Sequence, residues 1–192
     1  MKRTVVYGIA LGMISMGFLS IYAQGLKSGT TSVEWTSPYN GKDLTGWSYK
    51  TGKPFDGQKE SSDGRYMAKG ETIVVNDGKG IRQLWTTTEY SGDMEIRVEF
   101  RADVNADSGF FVRGPQLQVR DYLVAGPYKM LKKYKPQEWN EIVIVIRENV
   151  AHCTCNGEIL EENLKVPVKG GIGLEADHGI LEYRNIRIKK LQ

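Results

Sequence analysis

Short runs in which apolar and polar residues alternate dominate this chain. In residues 94–100 every second residue is apolar and every residue between is charged. A period of two puts the apolar side chains on one face of a β-strand. No stretch after residue 24 keeps the i, i+3, i+4, i+7 apolar stripe of an amphipathic helix over three turns. The pattern therefore predicts an almost entirely β-stranded protein.

Nine segments have a strand pattern and are bounded by turn residues. They are residues 72–75, 83–86, 93–101, 109–113, 117–123, 141–147, 151–155, 173–175 and 181–189. Residues 142–146 are apolar on both faces, which is typical of a central strand that is covered on both sides. In residues 183–188 the alternation is interrupted by one slip. Many short strands at this spacing predict an antiparallel sandwich or jelly roll.

Turn residues punctuate the strands. Asn156 and Gly157, between Cys155 and Glu158, predict a type I′ hairpin, because both central residues of that turn need a positive φ. Residues 76–78 and 177–179 are similar turn candidates.

The N-terminus predicts an export signal. Lys2 and Arg3 precede an apolar run over residues 5–19, and Ala23 is a small residue suitable for cleavage. We expect a signal peptide at 1–23, a flexible leader at 24–32 and a secreted or periplasmic mature protein. The alternative is an uncleaved membrane anchor, but the run is shorter than the ~20 residues that span a bilayer. We therefore expect no stable membrane insertion after cleavage.

Length and charge narrow the class of protein. A chain of 192 residues favours one domain, expected at 33–192, with a core large enough to need no disulfides. The 26 Lys and Arg nearly balance the 23 Asp and Glu, which argues against a nucleic-acid partner.

The two cysteines and one acidic segment contain residue types that can bind metals. Cys153 and Cys155 lie at i and i+2 of a predicted strand, so they are expected to be two small buried residues on one face. A metal site there would need further ligands, and the only imidazoles are His152 and His178. Residues 103–107 have alternating oxygen ligands but fail the EF-hand pattern, which leaves only a looser calcium site open. No metal or cofactor is predicted.

Five segments occur in an order and spacing that resemble a single family. They are residues 40–47; 84–86 with 89–90 and 95–101; 107–114; 138–141 leading to 156–157; and 173–175 through 178–179 to 183–188. Together they resemble the 3-keto-disaccharide hydrolase domain, first described as a bacterial domain of unknown function. The resemblance implies an all-β fold, a concanavalin A-like or laminin G-like jelly roll of two antiparallel sheets. It also implies an exported hydrolase that acts on glycosides oxidised to a ketone at ring carbon 3.

The chain departs from the family pattern at three places. Asp107 replaces the usual asparagine, Gln116 replaces a glutamate, and the usual Gly-Leu-Gln near the C-terminus becomes a segment containing Glu175. A lost carboxylate at 116 and a gained one at 175 indicate a changed substrate, a relocated acid or lost activity.

Strand alternation and the implied chemistry select candidate site residues. We expect Arg113, Gln118 and Arg184 on one concave face, with Asp121, Glu175, Asp177 and His178 at its rim. The predicted catalytic residues are Glu175 or His178 as base or acid, and Arg113 or Arg184 as the group that stabilises an enolate. The predicted substrate contacts are Gln116, Gln118, Asp121, Asp177 and Trp139. The alternatives are a solvated strand face for each arginine, a turn role for Asp177 and His178, and a core position for any tryptophan.

Three functions are compatible with the sequence. The first is a 3-keto-glycoside hydrolase whose partner is an oxidised carbohydrate. The second is a non-catalytic carbohydrate-binding jelly roll. The third is a conventional glycosidase with two carboxylates about 5–9.5 Å apart.

Overall fold

The computed structural model describes residues 34–192, together with Met1. The predicted signal peptide and leader lie outside these residues. Within residues 34–192 the chain forms fourteen strands and no helix, as the alternation predicted. The strands are β1 (Trp47–Tyr49), β2 (Tyr66–Lys69), β3 (Thr72–Val75), β4 (Arg82–Thr86), β5 (Tyr90–Ser91), β6 (Met94–Ala102), β7 (Asp107–Val112), β8 (Gln116–Arg120), β9 (Asn140–Arg147), β10 (Val150–Cys155), β11 (Glu158–Lys165), β12 (Lys169–Gly170), β13 (Ile172–Ala176) and β14 (Leu181–Lys190).

Two antiparallel sheets form a jelly-roll sandwich, which confirms the predicted fold class. The first sheet has five strands in the order β1-β4-β13-β7-β8, and the second has seven in the order β11-β10-β9-β6-β14-β3-β2. Strands β5 and β12 form a separate two-stranded ribbon. In the part of the chain that is described, no helix could cross a membrane.

The core lies between the two sheets. Strand β6 buries every second side chain, from Met94 to Phe100, at 0–1% exposure. Leu84 and Phe110 of the five-stranded sheet are also completely buried. Burying a side chain of this size contributes about 1.5–3 kcal/mol, so the shared core holds the two sheets together.

Strand β9 corrects one prediction. It lies inside the seven-stranded sheet, between β10 and β6, and its three isoleucines are buried. Val143 and Val145 on its other face are only half-buried, so the prediction of cover on both sides is wrong. A two-layer sandwich covers only one face of each sheet.

Two local predictions are confirmed. Asn156 (φ 49°) and Gly157 (φ 79°) form the hairpin turn between β10 and β11. In β14 the register against β6 shifts between Arg184 and Arg187, and Asn185 has a φ of 50°. This bulge is the slip seen in the sequence, and it returns the following isoleucines to the core.

The two cysteines occupy the core side of β10. Cys153 and Cys155 are free thiols with 0% exposure, and burial raises the pKa of each to about 12. His152 is exposed on the opposite face of the strand. Among residues 34–192, no group of three or more His, Cys, Asp or Glu side chains is arranged to hold a metal ion.

Candidate functional site

The outward side chains of the five-stranded sheet form rows across the strands. The side chains of Leu84 on β4 and Leu174 on β13 point into the core. The side chains of the residues on either side of each leucine therefore point out of the sandwich. The register gives one row of Ser48, Trp85, Gly173, Phe111 and Gln116. The next row contains Gln83, Glu175, Gly109 and Gln118, and a third contains Asp107 and Arg120. We call the outward surface of β4, β13, β7 and β8 the Glu175 face.

The sequence analysis predicts Glu175 at the rim of the face. In the structure Glu175 lies in the middle of the face, on β13 between β4 and β7. It is only 7% exposed. Gln116 donates from Nε2 to its Oε2 at 2.6 Å, and Gln83 donates to its Oε1 at 3.3 Å. Burial raises the pKa of the Glu175 carboxyl, and the negative charges of Asp177 and Asp107 raise it further against the two amide bonds. The carboxyl is therefore oriented and biased towards its protonated form.

Gly109 makes the contact between Gln116 and Glu175 possible. Gln116 is on β8 and Glu175 is on β13, so the amide has to cross β7. A Cβ at position 109 would lie 2.1 Å from Nε2 of Gln116 and 2.7 Å from its Cδ. Only glycine leaves room for the side chain to lie flat over β7.

An ion pair stands beside Glu175. Arg120 Nη1 donates to Asp107 Oδ2 at 2.7 Å, and the Gln118 amide donates to the other oxygen of Asp107. Gln118 also donates to the backbone oxygen of Ser108 at 2.9 Å. Arg120 Nε is buried and has no acceptor among the described residues. The face thus holds a fixed cation in the row next to the buried carboxyl.

Two aromatic rings lie next to the Glu175 carboxyl on the same face. The rings of Trp85 and Phe111 have centroids 5.1 Å apart and meet over Gly173, where a Cβ would come within 2.9 Å of the indole. Gly173 is two residues from Glu175 on β13. Apolar ring surface and polar groups therefore lie side by side, as in many ligand sites.

A buried hydroxyl fixes the strand from below. Ser108 Oγ donates to the backbone oxygen of Glu175 at 2.6 Å and lies 2.9 Å from the Tyr183 hydroxyl. Tyr183 is on β14 of the opposite sheet, so this contact ties the centre of the Glu175 face to the second layer.

Two predicted residues lie at the rim as expected. The backbones of His178 and Asp107 exchange hydrogen bonds of 2.7 and 3.1 Å. The His178 ring is exposed, with Nδ1 3.9 Å from Asp77 Oδ2, and Asp177 is half-buried next to it. Gln116 and Gln118 are also on this face, as described above.

Asp121 is buried just beyond β8 and not in the open face. It is 3% exposed and accepts hydrogen bonds from the Asn105 backbone (3.2 Å), the Tyr134 hydroxyl (3.4 Å) and the Gln137 amide (3.3 Å). These contacts hold loops together at the end of the sheet.

The prediction that Arg113, Gln118 and Arg184 share one face is wrong. Arg113 follows β7 in a tight turn with a φ of 56°, and its side chain is 4% exposed. It donates to the backbone oxygens of Gly92 and Pro167, and burial lowers its pKa. The turn ends the strand alternation, so the side chain enters the protein.

Arg184 and Trp139 belong to the other sheet. Arg184 is on β14, pairs with Glu99 at 2.6 Å and places its guanidinium carbon 3.9 Å from the centre of the Trp139 ring. Arg101 lies over the same ring at 4.9 Å. Both residues therefore cover the outer surface of the seven-stranded sheet, on the opposite side of the sandwich from Glu175.

Sequence reasoning missed four parts of the site. The strand pattern does not single out Gln83 or Phe111, and it does not place Trp85. Arg120 shares strand alternation with Gln116 and Gln118, and this signal was sufficient to find it.

Solved structures share this fold at low identity. Two proteins from Parabacteroides distasonis, each provisionally described as a glycosyl hydrolase, match with TM-scores of 0.63 and 0.61. Their identities are 17% and 20%; each match covers 82% of this chain and 94% or 100% of the other. A structure from work on endo-acting O-glycanases of the human gut microbiota matches with a TM-score of 0.52 at 10% identity, covering 84% of this chain and all of the other.

No curated protein shows significant similarity to the chain. One family model matches residues 34–189, which is nearly all of the described part. This match agrees with the resemblance carried by the five sequence segments. The chain therefore belongs to the family of 3-keto-alpha-glucoside-1,2-lyase-like domains.

Proposed function

We propose that this protein is a hydrolase of glycosides whose ring carbon 3 has been oxidised to a ketone, and that the oxidised sugar binds on the Glu175 face. One observation carries the proposal: a carboxyl with raised pKa is buried at the centre of a polar face, beside the Asp107–Arg120 pair. Perturbed carboxyls of this kind are typical of acid–base sites. Membership of the family supports the substrate class.

The ketone makes an elimination route accessible. A base removes the hydrogen on carbon 2, and the electron pair forms an enolate with the negative charge on the carbon 3 oxygen. The ketone then re-forms, the electron pair makes a double bond between carbons 1 and 2, and the bond from carbon 1 to the leaving oxygen breaks. Water adds its oxygen to carbon 1 and a proton to carbon 2. The net reaction is hydrolysis.

Glu175 is the proposed base. A raised pKa makes its carboxylate a stronger base, and the Gln116 and Gln83 amides hold it in one orientation. Once it has taken the carbon 2 proton, the same carboxyl can give a proton to the leaving oxygen on the neighbouring carbon.

Arg120 is the proposed enolate stabiliser. Its guanidinium is fixed by Asp107 before substrate binds and lies in the row next to Glu175. A fixed cation costs little reorganisation when charge develops on the substrate oxygen. In this arrangement carbon 3 lies towards Arg120, carbon 2 over Glu175, and carbon 1 towards Trp85. His178 and Asp177 then contact the sugar from the rim.

The assay compares one sugar in two oxidation states. The purified mature protein is incubated with a 3-keto-glucoside and with the matching ordinary glucoside, and sugar release is followed. We expect release from the keto compound only, and its loss in Glu175→Gln. Glu162→Gln is the matched control, because Glu162 is exposed on edge strand β11.

The other outcomes identify the competing functions. Release from the ordinary glucoside would indicate a conventional glycosidase, and binding without release would indicate a carbohydrate-binding module. Full activity of Glu175→Gln would remove Glu175 from the mechanism.

Export is a separate proposal that rests on residues 1–23 alone. The basic start, apolar run and small residue before Gln24 are the features of a cleavable signal. Fractionation of cells that express the full chain should place a form beginning at Gln24 outside the cytoplasm. An uncleaved chain in the membrane fraction would contradict this proposal.

A further inference from the structure

The chain contains three Asp–Gly peptides, and the fold holds them differently. They are residues 56–57, 63–64 and 77–78. An aspartate that precedes glycine is especially open to attack by the next backbone nitrogen on its own side chain, because glycine has no Cβ to hinder the approach. Since the three peptides have the same local chemistry, a difference in their reactivity has to come from the fold.

The first peptide is protected, because its nitrogen and its carboxyl bind different partners. The N–H of Gly57 donates to Thr45 Oγ1 at 2.9 Å. The Asp56 carboxyl accepts a hydrogen bond of 2.9 Å from the backbone N–H of Gly46. Attack of the Gly57 nitrogen on Asp56 would break both contacts.

The second peptide is protected in the same way. The N–H of Gly64 donates to the backbone oxygen of Ser61 at 2.9 Å. The Asp63 carboxylate pairs with Arg82 at 3.1 Å and accepts a hydrogen bond from the Tyr49 hydroxyl. The nitrogen and the carboxyl again face different groups.

The two Asn–Gly peptides, which undergo a related reaction with loss of ammonia, have fixed side chains. The Asn40 side-chain oxygen accepts hydrogen bonds of 2.8 and 3.0 Å from two backbone N–H groups. The Asn156 amide accepts one hydrogen bond of 2.9 Å and donates two, of 2.7 and 2.8 Å. Neither side chain is free to turn towards the glycine that follows it.

In the third peptide the nitrogen and the carboxyl bind each other. The N–H of Gly78 donates to Oδ1 of Asp77 at 2.7 Å. Both residues are exposed and lie outside the strands, and within residues 34–192 neither makes a backbone–backbone hydrogen bond. The nitrogen is therefore held beside the carboxyl that it would attack, as in a near-attack arrangement.

We propose that Asp77–Gly78 is a site of spontaneous aspartate isomerisation. The Gly78 nitrogen forms a bond to Cγ of Asp77, and the carboxyl OH leaves with the amide proton as water, which closes a five-membered succinimide ring. A second water then adds to the main-chain carbonyl carbon of residue 77 and breaks its bond to nitrogen. The product is isoaspartate, whose main chain runs through Cβ and Cγ. Water is the only co-reactant, and the final mass is unchanged.

Isoaspartate at this position would disturb contacts on both sides of the peptide. Arg65 donates to the backbone oxygen of Asn76 at 3.1 Å and to that of Gly80 at 2.7 Å. The modification adds one carbon to the main chain between these two oxygens, so Arg65 cannot keep both contacts unchanged. It also moves the carboxylate that lies 3.9 Å from His178 Nδ1 to another carbon atom. We therefore expect a less stable loop between β3 and β4 and an altered rim of the Glu175 face.

The test ages the purified protein and locates isoaspartate by peptide mass spectrometry with electron-transfer fragmentation. The same protein unfolded in guanidinium chloride is aged in parallel until isoaspartate is measurable at all three Asp–Gly peptides, where we expect similar rates. In the folded protein Asp77–Gly78 should exceed the other two by about tenfold or more. One hydrogen bond that must break at a protected glycine corresponds to a factor of about this size.

Asp77→Glu tests the ring chemistry. The longer side chain would have to close a six-membered ring, so the modification should disappear from this peptide, and the rates at Asp56 and Asp63 should stay the same. Aged wild-type protein should also show a second unfolding transition at lower Tm, which aged Asp77→Glu lacks. A single unchanged transition in protein rich in isoaspartate would contradict the effect on the Arg65 contacts.

Two results would overturn the site itself. One is isoaspartate at Asp56 or Asp63 that forms as fast as at Asp77 in the folded protein, since local sequence would then set the rate. The other is the absence of isoaspartate at Asp77 in the folded protein when the unfolded reference contains it. Neither result depends on hydrolase activity, so the proposed function of the Glu175 face is tested separately.

Discussion

The side-chain amide of Gln116 donates a 2.6 Å hydrogen bond to Oε2 of Glu175 across an intervening strand. At position 116 the family pattern has a glutamate, and here the carboxyl that occupies the centre of the face comes from position 175. The two side chains are in contact, so a glutamate at either position would place a carboxyl in the same region of the face.

Restoring a glutamate at 116 should put two carboxyls in contact. Because like charges in contact disfavour ionisation, the pair in Gln116→Glu should hold one proton to a higher pH than Glu175 does alone. We expect the acid limb of the kcat/KM profile on the keto substrate to move to higher pH. Gln58→Glu, at an exposed position, should leave the limb in place. An unmoved limb in Gln116→Glu would contradict the contact.

Replacing Glu175 should stabilise the fold in a pH-dependent way. Its pKa is raised on folding, so the folded state binds the proton more tightly than the unfolded state does. The unfavourable charge is absent below the ordinary pKa of about 4.3 and appears as pH rises through the folded pKa. Glu175→Gln should therefore have the higher Tm at pH 7, and the difference should disappear on acidification. Glu162→Gln reports the effect of removing an exposed carboxylate.

A methyl group at position 109 should act through Gln116. In Gly109→Ala the new Cβ would collide with the Gln116 amide, which must leave Glu175. We expect Gly109→Ala and Gln116→Ala to lower turnover similarly, and the double variant to be no worse than Gly109→Ala alone. A double-mutant cycle measures this coupling. Additive losses would show that the two residues act independently.

Two arginines on opposite sheets should behave differently. Arg120→Gln removes the cation next to Glu175 and should lower kcat by about a hundredfold or more, the typical effect of losing one stabilising donor. Arg184→Gln removes an ion pair and a ring contact on the other sheet, each worth about 0.5–1 kcal/mol of stability. It should leave kcat unchanged. A large loss of turnover in Arg184→Gln would return the site to the position inferred from sequence.

Arg65 should be among the most sensitive positions for stability. Its guanidinium is 5% exposed and donates to the backbone oxygens of Asn76 (3.1 Å), Gly80 (2.7 Å) and Ala176 (2.9 Å). Arg65→Met leaves these oxygens without their donor, and we expect a loss of about 3 kcal/mol in urea unfolding. Arg82→Met removes a largely exposed ion pair and should cost less than about 1 kcal/mol.

Alternation predicted the strands but not the sheet to which each belongs. The pattern in β6 and β14 shows which residues leave the core, because burial in a two-layer fold has a period of two. It cannot show that β14 lies in the seven-stranded sheet, since that depends on pairing between residues far apart in sequence. Alternation therefore predicts correctly that the Arg184 side chain points away from the core, but it does not show that Arg184 lies on the outer surface of the seven-stranded sheet.

Other misses have local causes. Arg113 stands in a turn with a positive φ, where strand alternation no longer applies. Strand β11 was not predicted because it is an edge strand whose only buried side chain is Leu160, so its sequence lacks a clear apolar period. The sequence predicts Glu175 as a site residue, but the central position of Glu175 on the face follows from the register of β13 between β4 and β7.

The two thiols of β10 give the protein an internal reporter. Cys153 and Cys155 have no exposed surface and remain un-ionised at neutral pH, so a thiol-modifying reagent can react with them only after the sandwich opens. The rate of modification under native conditions then measures how often the two layers separate. Substrate that binds the native sheet should slow that reaction, so occupancy of the Glu175 face could be followed from residues on the opposite sheet.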